Sequence, residues 1–343
     1  MRRLLRTMVI LLLLGGGAVG VVVWHQAWRD NINPALADDY QLLIPRQADF
    51  AYVMQTLAAD QVLRDPAAFR RISQVRKYDR LVKPGRYAIK KGMSNWKLVQ
   101  KLRAGDQDQM KLLFRSHRTL DELAGEISGQ LAFSKEDLLA KMRDDGFLQP
   151  YGFNTTNVRN LFLPNTYFVY WTITPEALFD KMSQQYQDFW NSGRKAKAEQ
   201  LGLTIHEVIT LASIVQAETY MAQERPTVAG LYLNRLRDNI PLQADPTVIF
   251  AVGDFSIRRV LKKHLQFDSP YNTYKYAGLP PGPINNPERS AVEGVLNPES
   301  HNYYYMCAKA DFSGYHNFSS TLSQHNRYAR EYQRALNKQK VYQ

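Results

Sequence analysis

A single cysteine in 343 residues, Cys307, closes off a branch of chemistry at once. No disulfide can form within the chain, and no CxxC pair exists for a metal or a redox couple. The histidines show no HExxH or comparable ligand spacing, so no metal site and no cofactor are expected. Internal repeats and low-complexity tracts are absent too. The apolar and charged fractions are those of a globular protein, which excludes disorder, collagen and pure coiled coil. Acidic residues are the scarcer charge, 32 against 44 Lys and Arg, leaving a formal net charge of +12. That balance suits an anionic polymer or membrane surface. The basic residues are scattered, however, and no RNP or zinc-finger signature accompanies them, so nucleic acid is not an expected partner. The lone thiol lies in the apolar stretch Tyr303–Ala308 and reads as a core residue.

Long uncharged runs are missing with one exception, Met8 to Trp24. Arg2, Arg3 and Arg6 precede it, and Arg29 and Asp30 follow. As a helix the run spans about 26 Å against a hydrocarbon core of about 30 Å, which fits a thin membrane anchor. A long signal-peptide core is the alternative. The arginine cluster puts the N-terminus in the cytoplasm and the rest outside, as a single-pass protein of the inner (cytoplasmic) membrane with a periplasmic catalytic domain.

The expected fold class is α+β: an N-terminal transmembrane helix, a small LysM-like α+β module and a larger mixed α+β catalytic domain. Residues 1–30 hold the arginine cluster and anchor, and 25–38 read as a polar linker. Residues 31–108 form the module, with a strand over Asp39 to Arg46, helices over 48–63 and 66–77, a strand after Pro84-Gly85, and a helix capped by Ser94. Residues 109–200 make a middle region containing one long helix from Pro175 to Ala198. Residues 201–343 are the catalytic core.

The core opens on Thr204-Ile205-His206-Glu207, a capping box. The helix that follows, Val208 to Val215, is apolar around most of its circumference and is predicted to be deeply buried. It arrives at Glu218. Partial burial and the negative end of the helix dipole both disfavour a carboxylate there, so its pKa should rise toward what a general acid needs near neutral pH. From this segment alone an ordinary surface glutamate fits as well. Downstream, stiff Pro/Gly loops carry Asn, Gln, Tyr and Thr, as the walls of a sugar groove would. The candidates for substrate binding are Gln243, Asp245, Tyr271, Asn272, Thr273, Tyr274, Asn285, His316, Phe318, Ser319 and Thr321. Asp245 also reads as a loop residue bonding backbone N–H groups, Glu224 as a helix cap, and His316 as either a groove or a core residue.

Five ordered blocks carry a resemblance. They are Leu211-Ala212-Ser213-Ile214-Val215-Gln216-Ala217-Glu218-Thr219, Leu242-Gln243-Ala244-Asp245-Pro246-Thr247-Val248, Tyr271-Asn272-Thr273-Tyr274, Gly278-Leu279-Pro280-Pro281-Gly282-Pro283-Ile284, and His316-Asn317-Phe318. In these the chain closely resembles the YceG-like endolytic murein transglycosylases (the MltG family), over about residues 39 to 335. The resemblance implies that Glu218 is the catalytic acid/base and that peptidoglycan glycan strands are the substrate. It also implies that the MurNAc–GlcNAc β-1,4 bond is cleaved without water, leaving 1,6-anhydro-MurNAc ends, near the membrane and its cell-wall synthases. A non-catalytic peptidoglycan-binding scaffold that recruits synthases is the alternative, and a muramidase using Asp245 to hold water is a third. The family pattern is broken at Gln216, where a second acid is common, at Arg159-Asn160 and Asn165, and at Arg115-Ser116-His117.

Overall fold

The computed structural model describes residues 21–338. Most of the expected anchor lies outside them. No described helix is long and apolar enough to cross a membrane. The chain divides into two compact units.

The first unit takes the chain up to Leu112, with Gln130–Phe133 and Tyr167–Ile173. Strand β1 (Gln41–Ile44) pairs antiparallel with β2 (Gly85–Ala88), Gln41 opposite Ala88 and Ile44 opposite Gly85. Between them run α1 (Phe50–Ala59) and α2 (Pro66–Val75), and α3 (Asn95–Ala104) follows. Asp49, Asp65 and Ser94 cap these helices by accepting from the N–H groups of Tyr52, Ala68 and Lys97. Gly105 stops α3 at φ 73°, where only glycine is unstrained. Leu42, Ile44, Val53, Leu57, Phe69, Tyr87 and Leu98 fill the core. The expected order of strand, two helices, strand and helix is present.

The expected linker at 25–38 is not one. Ile32 and Leu36 belong to this core. Asn31 exchanges hydrogen bonds with the backbone of Asp65 and donates to Asn95. Polar residues dominate the segment, but two apolar side chains and one saturated amide are enough to dock it.

The second unit contains the remaining chain. Strand β3 (Gln109–Phe114) pairs with β4 (Asn165–Tyr170), and the greater part of both, up to Leu112 and from Tyr167, belongs to the first unit. Helices α4 (Leu120–Ser128) and α5 (Lys135–Met142) each begin with a capping box. The long helix expected from Pro175 to Ala198 is two, α6 (Pro175–Phe189) and α7 (Ser192–Gln200). Trp190 leaves the helical region at φ −82°, ψ 58° and is 1% exposed, and Asn191 then caps the new helix by accepting from Arg194 N–H. Burying a large indole and capping a fresh N-terminus outweigh continuing the helix, which periodicity alone does not register.

The core of this unit forms around α8 (Ile205–Glu218), packed against α9 (Arg225–Arg237) and α11 (Arg289–Leu296), with α10 (Asp245–Val252) at its end. Strand β5 (Tyr305–Ala308) pairs antiparallel with β6 (His316–Ser319), and α12 (Leu322–Lys338) closes the chain. Thr204 and Glu207 form the expected capping box, and all residues from Val208 to Val215 are buried.

Helix α9 approaches the 299–301 segment so closely that Gly230 has no room for a side chain. A methyl group there would meet the Glu299 carbonyl oxygen and lie 2.8 Å from His301 Nε2. Gly230→Ala is expected to destabilise the protein by about 2 kcal/mol, since overpacking outweighs the gain in helix propensity. Urea unfolding measures it; a stabilised variant would show that the 299–301 segment moves away without cost.

Candidate functional site

Glu218 is the last residue of α8, so its side chain leaves the buried core just where the chain turns extended at Thr219. Its carboxyl accepts a hydrogen bond from the Tyr232 hydroxyl at 2.7 Å. Tyr232 and Arg235 stand three residues apart on α9 and so share one face. Both line a cavity of about 450 Å³ with Glu218, Gln243, Asp245, Tyr274 and His316. Glu218 keeps some surface at the cavity mouth, but the protein surrounds its carboxyl.

Burial pushes the Glu218 carboxyl up from 4.5 to about 7. The Tyr232 hydrogen bond opposes that rise, Asp245 adds to it through like charge, and Arg235 opposes it again. Desolvation therefore outweighs a hydrogen bond and a nearby cation. Tyr232 is itself pushed well above its ordinary range by burial and by Glu218, so it stays a hydroxyl and donates. Tyr232→Phe removes the one bond that favours the carboxylate. The Glu218 carboxyl, followed by ¹³C NMR titration, should then titrate about one unit higher. An unchanged midpoint would remove Tyr232 from the electrostatics of the site.

Asp245 is not a loop clamp. It sits in the first turn of α10 and accepts from the Tyr274 hydroxyl at 2.7 Å. Burial, then this bond, holds Tyr274 protonated. Arg235 is 6% exposed and donates to the carbonyls of Tyr304, Pro241 and Leu242. It thereby ties the Pro241–Asp245 loop to the approach to β5, and residues of both line the cavity.

Glu224 does not cap its helix. It is 7% exposed and accepts from both the backbone N–H and Nδ1 of His316, at 2.7 and 2.9 Å, and from the Thr219 hydroxyl at 3.0 Å. Thr219, directly after Glu218, is thus tied through Glu224 to His316, which lines the cavity. The carboxylate fixes the His316 ring and leaves Nε2 as the nitrogen available to the cavity.

The other candidates lie elsewhere. Asn272 donates to the carbonyls of Leu265 and Phe267 and holds its own turn. Thr273 bonds Ala244 N–H and the Thr247 hydroxyl in the interior, so it shapes the loop from behind. Tyr271 packs on Phe250, and Phe318 stacks on Tyr303. Ser319 is 1% exposed. Thr321 accepts from Gln324 N–H at the start of α12. Asn285 donates to the Ser213 carbonyl and faces a separate pocket of about 110 Å³ with Arg118, Ala217 and Pro246.

Several cavity residues escape sequence reasoning: Tyr232, Arg235, Tyr304, Tyr305 and Cys307. The spacing of Tyr232 and Arg235 on one helix face is the only signal that points to any of them. Cys307 is half-buried on the cavity wall and not in the core, because β5 is an edge pair with one face open. Burial raises its thiol and lowers His325, which stacks on Tyr305.

The breaks in the family pattern have structural occupations. Gln216 accepts from Glu288 N–H. Arg159 donates to the Pro283 carbonyl, Asn160 bonds His206, and His117 N–H donates to Asn286. Asn286 in turn bonds the carbonyls of Arg115 and Phe162. Of these positions, Arg115, His117 and Arg159 brace the 283–286 loop. Among the described residues, no cluster of three or more His, Cys, Asp or Glu could hold a metal ion.

An endolytic murein transglycosylase of Bacillus subtilis is 29% identical, the match covering 84% of this chain and 83% of that protein. A protein of the same name from Streptococcus pneumoniae is 27% identical over 94% of this chain and 63% of its own length, so the chain spans less than two thirds of that relative. The crystal structure of a yceG-like protein from Listeria monocytogenes superposes with a TM-score of 0.57 at 27% identity, covering 84% of this chain and 98% of that one. A model of the YceG-like family matches residues 42–331. That match takes in Glu218 and every residue named around its cavity, and the chain belongs to the YceG-like family.

Proposed function

We propose that this chain is an endolytic peptidoglycan lytic transglycosylase that cleaves the MurNAc–GlcNAc β-1,4 bond within glycan strands. The observation that carries the reading is one carboxyl, Glu218, raised to about 7 at the wall of an open polar cavity. A group that titrates there is protonated in a large fraction of molecules at neutral pH and gives up its proton readily. The relatives named endolytic murein transglycosylase supply the substrate class.

In this mechanism the protonated Glu218 donates to the glycosidic oxygen as the C1–O4 bond breaks. The resulting carboxylate takes the proton of the C6 hydroxyl as that oxygen bonds C1. The ring closes as a 1,6-anhydro sugar, and Glu218 ends protonated, ready for the next turnover. No water is consumed and no second catalytic carboxylate is required, unlike ordinary glycosidases. Tyr232 orients Glu218, while Gln243, Asp245, Tyr274 and His316 supply polar contacts along the strand.

The rest of the reading follows the sequence. The Met8–Trp24 run anchors the chain in the cytoplasmic membrane with both units outside. The first unit serves as a LysM-like glycan-binding module, and cell-wall synthases supply the nascent strands. Mass analysis of glycan ends after digestion tests the chemistry. Anhydro ends produced by the wild type and lost in Glu218→Gln are the expected result. Reducing ends would assign hydrolysis, with Asp245 as the group holding water. No cleavage by the wild type would favour a scaffold that binds strands without cutting them.

A further inference from the structure

The segment entering the first unit is not slack. Residues 21–28 are helical, and Val21, Val22 and Trp24 are 68%, 53% and 65% exposed. A turn later the same helix is bolted down. Ala27 is buried in the core, the Gln26 carbonyl accepts from Asn95 Nδ2 at 2.9 Å, and Gln26 Oε1 accepts from Arg71 Nε at 3.0 Å. Trp28 stacks on Trp96 with ring centres 5.5 Å apart, and the Arg76 guanidinium lies 4.1 Å over the Trp96 ring.

Around this stack α2 presents an unusual face. Arg71 and Val75 are four residues apart on one side of the helix, and Val75 is 60% exposed. Arg70 and Arg76 flank them, and among the described residues no carboxylate forms an ion pair with any of these three arginines. Exposed Trp24 and Trp28, one exposed aliphatic and guanidinia without a carboxylate partner meet where an uncharged run of sequence ends. Tryptophan rings favour the headgroup level of a bilayer, and unpaired arginines favour anionic headgroups.

We infer that this face of the first unit rests on the membrane, with Trp28, Trp96 and Val75 at the headgroup level and Arg70, Arg71 and Arg76 on anionic phospholipids. The inference depends on the reading of Met8–Trp24 as an anchor, and it adds a second, independent contact with the lipid. Because Gln26 and Ala27 fix the entering helix to the unit, the unit cannot swing freely about its tether. Its orientation to the membrane is then set by the surface it presents.

The test uses the full chain carrying Cys307→Ser and Val75→Cys, labelled with bimane at residue 75 and reconstituted into phosphatidylglycerol-containing vesicles with nitroxide-headgroup lipid. Emission is expected to fall by about half, and the quenching to drop at least about twofold in pure phosphatidylcholine or with Arg70, Arg71 and Arg76 changed to Gln. Chain that is not recovered with the vesicles would overturn the anchor reading and this surface with it. Chain that is recovered but unquenched would overturn the surface alone. A label shielded from aqueous iodide yet unquenched by the lipid would assign the face to a protein partner and also overturn it. Equal quenching in phosphatidylcholine would overturn the anionic-headgroup contact.

Discussion

Glu218→Gln is expected to cut glycan cleavage roughly 10³-fold while making the protein more stable at alkaline pH. Both effects come from the same desolvation. In the fold the carboxyl titrates at about 7, against 4.5 when unperturbed. Between those values the native state holds a proton that the unfolded state has released, so stability falls as pH rises through that window. Below 4.5 the group is neutral in both states and costs nothing. Above about 7 it is charged in both, and the full penalty applies. At about 1.4 kcal/mol per unit, that penalty is of order 3 kcal/mol. Glutamine has nearly the same shape, still accepts from the Tyr232 hydroxyl, and never ionises. Urea midpoints of wild type and variant should therefore coincide near pH 4.5 and separate by pH 8, with the variant the more stable. Equal stability at both pH values would mean that Glu218 is not desolvated. The wild-type rate carries the matching signature: the acid form is lost above about 7, so cleavage should decline through that pH.

Arg235→Lys is the second large effect. The guanidinium sits almost wholly inside and spreads its donors over the carbonyls of Tyr304, Pro241 and Leu242, with Gln243 Oε1 at 3.4 Å. Lysine keeps the charge but presents a compact ammonium that does not match that fork. At least one interior carbonyl loses its donor, and the ammonium is less well paired than the guanidinium was. The expected cost is about 3 kcal/mol. The loop bearing Gln243 and Asp245 loosens at the same time, so cleavage should fall while the pH at which it declines barely moves. That pairing separates a positioning role from a purely electrostatic one. A variant within about 0.5 kcal/mol of wild type would show that the loop is held by other contacts.

Much of the local structure was legible in the sequence because it depends on short-range chemistry. Ser94, Thr119, Ser134 and Thr204 are caps that announce themselves by residue type and spacing. The end of α8 at Glu218 follows from an apolar stretch that stops there. The break at Trp190 does not, since the helical pattern continues past it and only the presence of a core for the indole decides otherwise. The docking of 30–36 was hidden in the same way, in two apolar residues among polar ones.

The site divides along the same line. Its carboxyl and one wall, Gln243 and Asp245, stand in blocks that resemble a known family. Asn272 and Thr273 stand in an equally recognisable block and Asn285 directly follows another, yet they spend their side chains on backbone groups inside the protein. A block marks a loop as particular; it does not say whether its polar atoms face substrate or hold the loop. Buried polar groups must be paired, and which ones are buried is a property of packing.

By itself the sequence determined the type of most elements and the place of Glu218 at the end of a buried helix. Tertiary structure decided the rest: that Tyr232 bonds Glu218 and Arg235 lines the same cavity, that Glu224 serves His316, and that Cys307 faces a cavity. Those depend on contacts between residues distant in the chain, and so does the pKa of Glu218, because desolvation is set by everything packed around the carboxyl and not by its neighbours in sequence.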